Sequence, residues 1–119
     1  MNFQDMNKVN TAIIINSSGM GHSEPDLEAT LVRNYFKLMV SEEYLPKFIV
    51  FYSGGVHLTC SGSEILDNLK SLEARGVNIV TCKTCLNYYG LSEKLEAGML
   101  ATMIDIMDIQ FSADKVITL

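Results

Sequence analysis

The chain has 119 residues, 48% of them hydrophobic and 19% charged, with a formal net charge of -5. That length supports one domain with a single core, and that composition indicates a globular chain rather than a disordered one. The acidic balance disfavours a nucleic-acid surface, which needs clustered Lys and Arg, and no apolar run approaches the roughly 20 residues that cross a bilayer.

Residues 1–10 read as a flexible polar lead-in without the apolar centre of a signal peptide, which leaves 11–119 as a single domain. A cytoplasmic location follows as the expectation. Three cysteines cannot pair completely, and this disfavours a disulfide framework.

Thr11 to Asn16 is an apolar run without alternation, as expected of a strand covered on both faces. Ser17 to His22 breaks it with two glycines. The spacing of Ser23 and Asp26 predicts a capping box, with Pro25 in the first turn of a helix. Leu27, Leu31, Tyr35, Leu38 and Met39 recur at helical spacing and predict the face that packs on a sheet. Phe48 to Tyr52 is a second buried strand, stopped by Ser53-Gly54-Gly55, and Val56 to Gly62 reads as a loop. Ser61 and Glu64 predict another capping box. The helix after it turns Ile65, Leu66, Leu69 and Leu72 inward and ends at Gly76.

Val77 to Val80 is the third strand and leads into Cys82-Lys83-Thr84-Cys85. Ser92 to Glu96 suits a short helical piece, and Ala97 to Ala101 fits either a strand or a turn. Thr102 is placed to cap a last helix, Met103 to Ser112, whose narrow polar stripe (Asp105, Asp108, Ser112) leaves most of its circumference apolar. Such a helix is buried by its own domain or by another subunit. Lys115 to Leu119 closes the chain as a strand.

Strands alternating with helices predict an α/β fold, a mainly parallel sheet of four to five strands with helices on both faces. Functional loops in such folds lie at the carboxyl ends of the strands. The loops 17–23, 53–62 and 81–90 therefore share one edge, with His22, His57, Cys60, Cys82 and Cys85 on the same side. Gly55, Tyr88 and Tyr89 are the further candidates for lining it.

The CxxC pair carries the strongest chemical signal. A thiol at a strand end before a helical turn meets free backbone N–H groups and the positive end of the helix dipole, and Lys83 adds charge nearby. Thiolate is the nucleophile for disulfide exchange and for accepting sulfane sulfur. The competing reading for either cysteine is a small buried hydrophobe. Cys60, alone in its loop, fits that plainer reading, and Tyr88 and Tyr89 fit packing as well as a pocket entrance. A rival chemistry is a Cys3His zinc site, with His57 and Cys60 as H-x-x-C beside the CxxC. Gly19-Met20-Gly21 lacks the third glycine of a dinucleotide loop, and Glu24, Asp26 and Glu28 would repel a phosphate there. No cofactor is expected.

Two segments carry a resemblance to a known family: Phe51-Tyr52-Ser53-Gly54-Gly55-Val56 with Leu58-Thr59, and Cys82-Lys83-Thr84-Cys85-Leu86-Asn87-Tyr88-Tyr89-Gly90-Leu91. They resemble the DsrE/DsrF-like sulfur-relay family over nearly the whole chain. The second segment is similar to the signature of YedF-type selenium-metabolism proteins, with Lys83 in place of a glycine. The resemblance implies a three-layer α/β/α fold, a five-stranded mainly parallel sheet and a homo-oligomer, trimer or hexamer. It also implies a sulfurtransferase-like carrier holding persulfide sulfur or selenium on Cys82, with Cys85 as the second thiol. A TusA-like domain usually precedes the YedF-type domain and has no room in this chain. A separate TusA-like carrier or a cysteine desulfurase is then the expected partner. A CxxC redox switch is a further reading of the same pair.

Overall fold

Strand β1 (Thr11–Ile15) is buried along its whole length, which is why Ala12 to Ile15 are apolar without alternation. It sits inside a five-stranded sheet of order β4-β3-β2-β1-β5, seen in a computed structural model that describes residues 10–119. All neighbours are parallel. The remaining strands are β2 (Phe48–Phe51), β3 (Asn78–Cys82), β4 (Met99–Ala101) and β5 (Lys115–Thr118). Helix α1 (Pro25–Ser41) follows β1, α2 (Leu66–Ala74) follows β2, α3 (Lys83–Tyr88) follows β3 and α4 (Met103–Ser112) follows β4. The lead-in expected over residues 1–10 lies, apart from Asn10, outside the described residues.

Side chains alternate across a strand, so each strand feeds two cores. Ile13, Ile15, Ile49, Phe51 and Ile79 join Val32, Phe36 and Met39 of α1 and Leu69 and Leu72 of α2 on one face. Ala12, Ile14, Val50, Val80 and Cys82 join Leu86 of α3 and Ile106 and Ile109 of α4 on the other. The three expected layers are therefore present. Phe36 and Phe51 stack with centroids 6.2 Å apart, tying α1 to β2. Burying each such side chain contributes about 1.5–3 kcal/mol.

Several local expectations fail for identifiable reasons. Of the expected face of α1, Met39 is buried and Tyr35 packs against the core, whereas Leu27, Leu31 and Leu38 are exposed and Val32 and Phe36 are buried in their place. The exposed leucines lie about 130° around the helix from the centre of the buried stripe. The bulkier Phe36 meets the sheet. Helix α1 starts at Pro25 with Glu24 as its N-cap, and Ser23 makes no cap; its backbone N–H donates to Glu28 Oε2 at 2.7 Å. Ser61 does not cap α2 either. Its N–H and hydroxyl bond the Lys94 carbonyl instead, and α2 begins only at Leu66.

The expected loop after β2 is a 3-10 helix, Ser53–Thr59, held down by buried Val56, Leu58 and Thr59. Segment 92–96 is no helix. Leu95 bridges Cys60 in antiparallel fashion, and Thr59 O accepts from Glu96 and Ala97. Elsewhere the local signals hold. Gly76, at φ +92, closes α2 in a Schellman motif, with Val77 N–H on Leu72 O and Gly76 N–H on Glu73 O. Thr102 and Asp105 cap α4, the carboxylate accepting from the Thr102 N–H at 2.8 Å and its hydroxyl at 2.9 Å.

Candidate functional site

The register sets Ile15, Phe51 and Thr81 side by side at the carboxyl ends of β1, β2 and β3. Every loop expected at the functional edge therefore does emerge there. Strand β3 runs two residues further than its β-branched stretch suggests, so Cys82 is a strand residue paired with Ala101 of β4. Alternation turns Cys82 to the same face as Val80, into the cluster with Leu86, Ala101 and Ile106. Only 2% of its surface is exposed.

Cys82 is also the N-cap of α3. Its Sγ accepts the Cys85 N–H at 3.4 Å, doing with sulfur what a Ser or Asp oxygen does at most helix starts. The second thiol belongs to the helix and is half-buried. Cys85 Sγ accepts the Ser53 N–H at 3.1 Å. Ser53 holds a left-handed φ of 53°, which turns its amide toward α3 as the chain leaves β2. No side-chain signal announces this donor, since a backbone N–H is what acts; the Ser-Gly-Gly stop is its only trace in the sequence.

Helix-end amides and the helix dipole were expected to favour thiolate at a strand-end thiol of the pair. At Cys85 the balance runs the other way. Burial and the neighbouring Cys82 side chain push its thiol above the ordinary range, against the opposing pull of the Ser53 N–H. Lys83 between the two cysteines is exposed.

The other candidates divide. His57 Nδ1 lies 3.0 Å from the Gly54 carbonyl oxygen, and because a carbonyl only accepts, this contact places a proton on Nδ1. Its ring packs against Tyr89 with centroids 4.5 Å apart, and Tyr89 meets Tyr88 edge-on at 5.2 Å. Tyr89 follows Cys85 by one helical turn, so this aromatic string begins beside the half-buried thiol. Gly55, within the 3-10 helix, packs against the Ile15 carbonyl. His22 stands exposed in the loop between β1 and α1.

Cys60 is buried, and its Sγ–H donates to the Val56 carbonyl at 3.3 Å. Burial pushes its thiol up as well. The rival zinc quartet of His57, Cys60, Cys82 and Cys85 does not assemble. Among the described residues no three His, Cys, Asp or Glu side chains converge as metal ligands do. Sequence reasoning also missed Thr81, fully buried beside Cys82, whose Oγ1 has no protein partner among the described residues. A groove of about 590 Å³ lies at the far end of the sheet, lined by Thr11, Tyr35, Tyr44 and Lys115 among others, and holds no thiol. Among the described residues no helix is long and apolar enough to cross a membrane.

The fold is shared with solved structures. YchN from E. coli superposes with a TM-score of 0.69 at 22% identity, covering 93% of this chain and 100% of that one. MTH1491, a protein of unknown function from Methanobacterium thermoautotrophicum, gives 0.66 at 21% identity, covering 93% and 99%. BT1422 from Bacteroides thetaiotaomicron, also of unknown function, gives 0.61 at 13% identity, covering 92% and 95%. No curated protein matches by sequence. The family pattern does match, from residue 12 to residue 119, and the chain belongs to the DsrE/DsrF-like family.

Proposed function

We propose that this protein is a sulfur-relay carrier that holds sulfane sulfur, or selenium, as a persulfide on Cys82, with Cys85 as its second thiol. The observation that carries the reading is the placement of Cys82 at the end of β3, as the N-cap of α3, with its Sγ on the Cys85 amide. An N-cap sulfur faces backbone N–H groups that stabilise negative charge on it as an S–S bond forms or breaks, and a thiol of the pair, as thiolate, attacks the outer sulfur of a donor persulfide. The S–S bond of the donor breaks, the donor leaves as a thiolate, and the carrier holds Cys–S–SH. Cys85 lies close enough to act on that product. Attack on the outer sulfur moves it between the two thiols. Attack on the inner sulfur forms a Cys82–Cys85 disulfide and releases HS⁻.

The donor and acceptor fitting this chemistry are a cysteine desulfurase and a TusA-like sulfur carrier. A second copy of the chain is the other partner. Met99 and Leu100 of β4 and Met103, Ile104, Met107 and Phe111 of α4 are exposed large apolar residues in one connected stretch, which supports a homo-oligomer.

Mass spectrometry after incubation with a cysteine desulfurase and cysteine tests the reading. The wild-type chain should gain one sulfur and retain it after the donor is removed. Wild type without added sulfur, or Cys82→Ser retaining as much as wild type, would sink it. The closeness of the two thiols also supports a redox switch. That reading gains if the same experiment yields a reversible disulfide and no sulfur adduct.

A further inference from the structure

The two cysteines of the motif are one turn apart in sequence and unequal in access. Cys82, on the strand, is 2% exposed beneath Leu86, Ala101 and Ile106. Cys85, on the helix, reaches the surface and stands where the aromatic string of His57, Tyr89 and Tyr88 begins. An external persulfide is attached to a bulky carrier, so its sulfur is delivered to whichever thiol it can touch. The Ser53 N–H at 3.1 Å is directed at the Sγ of Cys85 and stabilises negative charge there as a sulfur bond forms or breaks.

We infer that Cys85 is the receiving thiol and Cys82 the internal store, so that sulfur reaches Cys82 only by transfer from Cys85. The inference rests on the sulfur-carrier reading and adds an order to it. In the first step Cys85 Sγ, as thiolate, bonds the outer sulfur of the donor; the donor's S–S bond breaks and the donor departs as a thiolate. In the second, Cys82 Sγ, as thiolate, bonds that same sulfur, the bond to Cys85 breaks, and Cys85 is regenerated as a thiolate. Each step exchanges one S–S bond for another, and no electrons enter or leave. The donor is an alkyl persulfide, on a protein or on a small thiol. A buried second site protects the stored sulfur from solvent thiols that would strip it from Cys85.

The rise of the Cys85 thiol above its ordinary range fits this role in one respect. A more basic thiolate is the stronger nucleophile once formed, although less of it is present.

The sequence supplies the means of testing. Trypsin cleaves after Arg75, Lys83 and Lys94, so Cys82 and Cys85 fall on different peptides. The reduced full chain is mixed with glutathione persulfide, quenched by alkylation at successive times, and mapped by mass spectrometry. In wild type the adduct should peak first on Cys85 and then grow on Cys82 at its expense. Cys85→Ser should slow loading of Cys82 by about tenfold or more, because access limits the direct route. Cys82→Ala, which keeps the core apolar, should still load Cys85 and retain little of that sulfur after the donor is removed. Circular dichroism verifies that both variants are folded. Cys82 loading at the wild-type rate in Cys85→Ser, or leading in wild type, would overturn the order while leaving the carrier reading intact. Adduct on neither cysteine overturns both.

Discussion

Two adjacent glycines at the end of β2 make opposite predictions. A Cβ at Gly55 would run into the carbonyl carbon and oxygen of Ile15, the fully buried end of β1, and backbone there cannot swing aside. A Cβ at Gly54 would find its nearest neighbour, Ser17 Cα, at 3.8 Å, an ordinary contact. Gly55→Ala must therefore lift the 3-10 helix off the sheet. Overpacking of this kind costs about 1–3 kcal/mol, and a backbone-on-backbone clash belongs near 3. Gly54→Ala should stay within about 0.5 kcal/mol of wild type. With a urea slope of about 1.5 kcal/mol/M, the Gly55 variant loses about 2 M in its unfolding midpoint. Circular dichroism in a urea series measures both. The lift also draws the Ser53 N–H away from Cys85, so iodoacetamide labelling of Cys85 should change in the same variant and not in Gly54→Ala. Equal midpoints for the two variants would refute the packing argument.

Three further outcomes follow from the same contacts. Thr81→Val removes a buried hydroxyl that has no partner among the described residues, at nearly constant shape, and should raise stability by about 1 kcal/mol in a urea titration, where a loss would show that the hydroxyl is satisfied. Stability should fall on both sides of neutral pH: as pH rises, the thiols of the unfolded chain ionise first while Cys60 and Cys85, held above the ordinary range, keep their protons, so ionisation favours unfolding. On the acid side Asp105, whose carboxyl is held below its usual range by the Thr102 N–H and hydroxyl, loses its contribution as pH drops through its folded value, and thermal melts across pH read both arms. Ile104→Glu with Met107→Glu should lower the molar mass seen by light scattering without lowering helix content, and an unchanged mass would remove the α4 face from the interface.

The sheet was legible because a parallel strand buried on both faces reads as a near-continuous apolar run, as Ala12 to Ile15 of β1 does. Helix orientation was not. Helix α1 carries two apolar stripes, and periodicity counts residues on a stripe without saying which stripe meets the sheet. Phe36 decides it by filling the space above Phe51. The helix starts were misjudged for a related reason. Ser23 and Ser61 have the chemistry of a cap, but Pro25 fixes one start two residues later and pairing of Ser61 with Lys94 draws the other away. Thr102 was read correctly, and its N–H and hydroxyl both go to Asp105 within its own helix start.

The cysteine pair shows where sequence spacing stops being informative about chemistry. CxxC places two thiols near one another whether both lie in a loop, both on a helix, or one on each kind of element. Here the boundary between β3 and α3 falls between them. The strand's alternation takes Cys82 inward, and the helix's periodicity leaves Cys85 at the surface beside Tyr89. The same boundary makes Cys82 an N-cap and brings Cys85 to the Ser53 amide. Access, hydrogen-bond donor and packing of the two sulfurs are thus set by which element each belongs to. A one-residue shift of that boundary would change all three, so inserting an alanine between Cys82 and Lys83 should disrupt sulfur loading far more than any substitution of the exposed Lys83.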